Sequence, residues 1–145
     1  MEQNFDYIHT VQYYETDKMG ITHHSNYIRW MEEARVDFLA RKGLNYEKLE
    51  SMGITSAVVN VTCRFRRPTV FSDKVAIRAS VKEFNGLIMT FGYDMKNEEG
   101  TVVCTGTSEH VFLNGEGRPM RIKKTYPELF EAFRKLADET EHEST

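Results

Sequence analysis

Tyr13-Tyr14-Glu15-Thr16-Asp17-Lys18-Met19-Gly20-Ile21-Thr22-His23-His24-Ser25-Asn26-Tyr27 joins two different periodicities. Before it, Phe5, Tyr7, His9, Val11 and Tyr13 alternate with Asp6, Ile8, Thr10, Gln12 and Tyr14, the period of a strand with one buried face. After it, Tyr27, Met31, Ala34 and Phe38 recur at helical spacing, and Trp30 and Leu39 widen the stripe. Arg29 with Glu33 and Asp37 with Arg41 are spaced as i,i+4 pairs, and Gly43 stands where such a helix stops. Ile28 and Val36 add apolar surface off the stripe, so the pattern predicts a helix covered on several sides. The connection is longer than the usual connection of about 4–6 residues. It carries two carboxylates, a glycine and two histidines, the composition of a loop that holds a reactive site. A helix beginning near Ser25 or Asn26 turns its free N–H groups back toward this loop, so Asp17 lies just upstream of an anion-stabilising helix end.

Downstream, residues 46–52 read as one more short helix closed by Gly53, and then the period returns to two. Val59, Val61, Cys63 and Phe65 alternate with Asn60, Thr62, Arg64 and Arg66 up to Pro68. Val75, Ile77, Ala79 and Val81 mark the next strand, and Asn85-Gly86 reads as a two-residue type I′ hairpin turn. Leu87 to Met95 and Thr101 to Leu113 follow, the latter with Cys104, Gly106, Ser108, His110 and Phe112 on one face. Thr125-Tyr126-Pro127-Glu128 resembles a capping box with Pro at N1, opening a short amphipathic helix through Leu136. The expected architecture is α+β: one long helix on a five-stranded antiparallel sheet in the order β-α-β-β-β-β, the last four strands a meander, with a short C-terminal helix. Residues 1–137 form one domain in this reading, and 138–145 a polar, frayed tail. A single sheet with open edges and one uncovered face favours a dimer or tetramer.

Of the 145 residues 40% are hydrophobic, enough for a sizeable core, and the net charge of −3 argues against a nucleic-acid binder working through a basic field. No apolar run approaches the roughly 18 residues of a membrane span, and the start Met1-Glu2-Gln3-Asn4 is not a signal peptide. Cys63 and Cys104 lack metal-type spacing and read as reduced thiols of a cytoplasmic protein.

The run from Tyr13 to Tyr27, with Asp17, Met19-Gly20-Ile21, His24 and Asn26-Tyr27 at their spacings and a helix rich in Trp, Glu, Ala and Arg behind it, resembles the 4-hydroxybenzoyl-CoA thioesterase group, hotdog-fold acyl-CoA thioesterases that include the YbgC-type enzymes. The resemblance implies a central helix wrapped by the sheet, active sites between subunits of a dimer or tetramer, and no metal or redox cofactor, coenzyme A being part of the substrate. It assigns Asp17 as the catalytic carboxylate, the His24 backbone N–H as the donor to the thioester carbonyl, and Gly20 as the residue that folds the loop over the bound group. Ser25, Asn26 and Tyr27 at the helix entry complete the expected substrate-binding set, to which Arg64 and Arg66 are added: with Arg67 they form a basic cluster that reads either as a soluble strand face or as cations for the coenzyme A phosphates.

Residue chemistry alone points the same way with less specificity. Thioester hydrolysis needs a donor for a tetrahedral oxyanion and a carboxylate that attacks carbon or deprotonates water; Asp17 suits either role. The bland alternatives are an Asx turn for Asp17, an N-cap for Ser25, a loop position for His23, and hydrogen-bonded structural roles for His9 and His110; Glu15 reads as a solvated charge ahead of a helper to the site. Trp30 and Met31 read as core residues first. The substrate is an acyl-CoA or an acyl carrier protein thioester. The competing functions are a hydratase or dehydratase of the same fold and a non-catalytic acyl-CoA-binding module. A metal hydrolase built on Glu15, Asp17, His23 and His24 ranks last, because the spacing supplies no closed ligand set.

Overall fold

A computed structural model describes residues 6–143. The elements are β1 (Tyr7–Thr10), a 3-10 turn (Tyr13–Glu15), α1 (Ser25–Arg41), α2 (Tyr46–Ser51), β2 (Thr55–Phe65), β3 (Lys74–Phe84), β4 (Ile88–Lys96), β5 (Val102–Leu113), α3 (Ile122–Thr125) and α4 (Pro127–Glu143). The five strands form one antiparallel sheet ordered β1-β3-β4-β5-β2. The expected α+β design holds, with one change: only β3, β4 and β5 form a meander. β2 crosses to the far edge and pairs with β5, Val61 opposite Ser108 and Phe65 opposite Cys104.

α1 buries Tyr27, Trp30, Met31, Ala34 and Leu39 of the stripe read from its period beside Val75, Ile77 and Val81 of β3 and Phe91 and Met95 of β4 in one core, while Phe38 is only partly buried. A Cβ at Gly106 would collide with the Met31 methyl and the Thr62 carbonyl, so the missing side chain lets helix and sheet close together. The Asp37–Arg41 pair forms at 2.6 Å. Glu33, expected to pair with Arg29, instead accepts hydrogen bonds from the Tyr7 hydroxyl and His9. Ile28 and Val36 remain exposed, so within this chain α1 is covered on one side only.

Three local expectations change. β1 is shorter than its alternation, because after Val11 the Glu15 carboxylate accepts the Gln12 N–H at 2.8 Å and the chain turns; Phe5 lies outside the described residues. Asn85-Gly86 is not a two-residue I′ turn. Gly86 has positive φ but Asn85 does not, and the Asn85 side chain accepts from the N–H groups of Leu87 and Ile88 in a longer loop. α4 does begin at Pro127, yet Thr125 ends α3 instead of capping α4. The last helix then continues to Glu143, through most of the expected tail, with Phe133 packed between Phe84 and Phe112 at ring distances of 5.3 Å.

Candidate active site

The loop before α1 is a tight antiparallel turn. The Asp17 N–H donates to the Ile21 carbonyl at 2.9 Å, the His23 N–H to the Glu15 carbonyl at 2.8 Å, and Thr16 bridges Thr22. Gly20 closes the turn at φ +81° with open space where a Cβ would stand, so backbone conformation, not crowding, requires glycine here. Within the turn, one Asp17 oxygen, Oδ1, accepts the Met19 N–H at 2.8 Å. This is the Asx turn of the bland reading. It leaves the other oxygen, Oδ2, without a protein partner among the described residues.

The helix entry is nearly saturated by one residue. The His23 carbonyl accepts the Asn26 N–H at 3.0 Å, His23 Nδ1 accepts the Ser25 N–H at 3.2 Å, and the Tyr27 N–H donates to the His24 carbonyl at 3.3 Å. His24 is the N-cap, and its own N–H finds no acceptor among the described residues. One unpaired donor therefore remains at the positive end of α1.

Asp17, His24, Tyr27 and Arg66 line one cavity of about 380 Å³. Ile21, Phe65 and Pro68 give it apolar walls, and Arg66 and Arg67 supply positive charge. Tyr27 is buried, its hydroxyl sharing a 3.0 Å hydrogen bond with Thr69 and its ring 5.2 Å from Phe65.

The remaining expected residues sit elsewhere. Asn26 turns its amide to the carbonyls of Glu15 and His23, clamping the loop from behind. Ser25 lies inside the first turn instead of at the N-cap, its hydroxyl 2.9 Å from His23 Nδ1. Gly20 shapes the turn without lining the cavity. Arg64 is separated from Arg66 because β2, after a register shift between Val58 and Asn60, pairs regularly with β5 as far as Phe65 and ends there. That regularity puts Arg64 in another hollow, of about 300 Å³, with Thr62, Asp94 and Thr105. Past Phe65 the N–H groups of Arg66 and Arg67 both donate to the Val103 carbonyl, and the chain swings their side chains to the Asp17 cavity.

Glu15 is the largest departure from the sequence reading. It is 3% exposed, and its carboxylate accepts from Gln12 N–H at 2.8 Å, His9 Nε2 at 2.9 Å and Trp30 Nε1 at 2.9 Å. Burial alone would raise its pKa; the backbone N–H of Gln12 and the donors on His9 and Trp30 outweigh that and hold it below the usual carboxylate range. His9 and His110 keep the hydrogen-bonded structural roles expected of them, His9 between Glu15 and Glu33 and His110 against Ser108. Arg35, unremarked in the sequence, is buried and donates to the hydroxyls of Tyr46 and Tyr93.

Residues 11–135 match the model of the thioesterase-like superfamily. YneP of Bacillus subtilis, whose name assigns it provisionally as an acyl-CoA thioesterase, is 30% identical over 126 residues, 86% of this chain and 91% of YneP. The acyl-CoA thioester hydrolase YbgC of Escherichia coli O6:H1 is 24% identical over 64% of this chain and 69% of its own. A DHNA-CoA thioesterase structure from Staphylococcus aureus superposes with a TM-score of 0.88 at 27% identity, covering 97% of this chain and 95% of that one. With the long helix packed on the five-stranded sheet and the family model spanning most of its length, the chain belongs to the thioesterase-like superfamily and has the hotdog fold.

Proposed function

We propose that this protein hydrolyses acyl-CoA thioesters in the Asp17 cavity. One observation carries the reading: among the described residues, a carboxylate oxygen with no protein partner and an amide N–H with no acceptor belong to residues lining the same cavity. The carbonyl oxygen of the thioester takes the His24 N–H, and charge building on that oxygen meets the positive end of α1. Asp17 then attacks the carbonyl carbon, expelling the thiolate and leaving an anhydride that water cleaves, or it deprotonates a water that attacks directly. Both routes use the same free oxygen and end in one acid and one thiol per water consumed. The names of YneP and YbgC, an acyl-CoA thioesterase and an acyl-CoA thioester hydrolase, support coenzyme A as the carrier.

The cavity, about 380 Å³, is at the small end of the roughly 300–1,000 Å³ range of ligand sites, so it suits the acyl group and thioester while the nucleotide lies outside. Arg66 and Arg67 are placed to meet phosphates there; Arg64 is not. We assign the working form as a homo-oligomer. β2 is a sheet edge carrying half-exposed Val58, Val59 and Phe65, and Phe65 also walls the cavity, so a second copy on that edge would border the site.

The test is thiol release from acetyl-, octanoyl- and benzoyl-CoA. Asp17→Asn should lower kcat by roughly a thousandfold or more with KM within a few-fold of wild type. Wild-type turnover in that variant would refute the site. Repeated turnover in ¹⁸O water that labels the Asp17 carboxylate identifies it as the nucleophile, because water opening the anhydride at the Asp17 carbonyl leaves its oxygen there, whereas a base takes up none.

A further inference from the structure

We propose that Glu15 is the positioning residue of this site, holding the Asp17 carboxylate and the His24 N–H in register through a buried anchor; the inference rests on the proposed function. Glu15 ends the 3-10 turn and Thr16 follows it in extended conformation at φ −94° and ψ 156°, so the chain changes course between the two acids. Asp17 consequently lines the cavity while Glu15 enters the core.

The anchor acts on both reacting groups through the backbone of residue 15. Its carboxylate is fixed to α1 by Trp30, to β1 by His9 and to its own turn by Gln12. Its carbonyl accepts the His23 N–H and the Asn26 amide, which sets where α1 begins and so where the His24 N–H points. Two residues on, the Asp17 N–H pairs with Ile21 in the same small turn. A rotation at Glu15 therefore moves the carboxylate and the donor relative to each other. His9 is itself held from behind: Nδ1 lies 3.0 Å from Glu33, which also accepts from Tyr7, and its ring lies 4.5 Å from Trp30. None of these groups lines the cavity, so Glu15 acts on substrate only through its neighbours.

Glu15→Gln replaces one acceptor oxygen by an N–H₂ group that faces existing donors, changing the volume little. A misplacement of about 1 Å costs on the order of 100-fold, so kcat should fall about 10- to 100-fold with KM within about threefold. Trp30 is the chain's single tryptophan, and its indole N–H ends on Glu15, so its emission reads the anchor directly. Glu15→Gln should shift that emission, and Asp17→Asn should leave it unchanged. Trp30→Phe, which keeps the ring and removes one link, should lower kcat by a smaller factor.

Wild-type kcat in Glu15→Gln, while Asp17→Asn is inactive, overturns the positioning role and leaves the proposed function standing. A loss in Glu15→Gln that appears as a raised KM together with a lowered melting temperature also overturns it, since that marks a purely structural residue. If Glu15→Gln does not fold, Trp30→Phe decides: unchanged kcat overturns the proposal, reduced kcat at constant KM supports it. No thiol release by wild type from any of the three thioesters refutes the proposed function and this inference with it.

Discussion

Lowering the pH from 7 toward 4 should destabilise the fold through one buried imidazole. His110 is 2% exposed, and its Nε2 lies 2.7 Å from the Ser108 hydroxyl. Ser108 shares a 2.7 Å hydrogen bond with the Tyr93 hydroxyl, which accepts from Arg35 Nη1 at 3.0 Å. Arg35 can only donate, and when each buried hydroxyl proton is spent within the network the bonds run Arg35 to Tyr93 to Ser108 to His110, with His110 Nε2 accepting. A proton on that nitrogen would break the run. Burial, and after it the Arg35 charge, depress the His110 pKa from 6.5 to about 4. The unfolded chain therefore binds this proton more tightly than the folded one. The stabilisation is complete above pH 6.5 and is lost as pH falls toward 4, amounting to about 3 kcal/mol at about 1.36 kcal/mol per pH unit. Urea midpoints at pH 7 and 4.5, at one protomer concentration, should move much further for wild type than for His110→Gln. Equal acid losses in the two proteins would refute the reasoning.

The other predictions concern packing and assembly. Gly106→Ala should cost about 1–3 kcal/mol, because the new methyl meets the Thr62 carbonyl, which is backbone, as well as the movable Met31 methyl; an unchanged urea midpoint would contradict the close approach of α1 to the sheet. Val59→Lys places a charge on the exposed edge strand and should convert a dimer or tetramer to monomer in sedimentation or size-exclusion measurements. A wild-type protein already monomeric at micromolar concentration would remove the assembly proposed here.

Much of the fold was legible because each element carries its own period. The helical stripe on α1 and the alternation along β3, β4 and β5 are local signals, and they name the residues that are buried. Sheet order is not local. Nothing within residues 55–65 distinguishes β3 from β5 as a partner, and the choice follows from how the chain leaves Phe65 and ties Arg66 and Arg67 to Val103. The same exit separates Arg64 from Arg66, which alternation alone treats as equivalent. Arg35 did leave a trace: it follows Tyr27 and Met31 at i+8 and i+4 on the buried stripe, where a cation needs polar partners that only distant Tyr46 and Tyr93 supply.

At the site, an Asx turn and a functional carboxylate for Asp17 are compatible readings, because the turn occupies one oxygen and leaves the other without a protein partner among the described residues. Glu15 escaped for the opposite reason. Surrounded in sequence by tyrosines, a threonine and an aspartate, it looks solvated, and its burial depends on His9 and Trp30 lying on two other elements. Strand alternation would put residues two apart on one face, so the inward turn of Glu15 comes from the 3-10 turn it ends, which the sequence did not announce. Without the Glu15 carboxylate as acceptor the core donors of His9 and Trp30 would be left unpaired. The two acids are therefore used differently: the Glu15 carboxylate accepts three donors in the core, while a single N–H meets the Asp17 carboxylate at the loop.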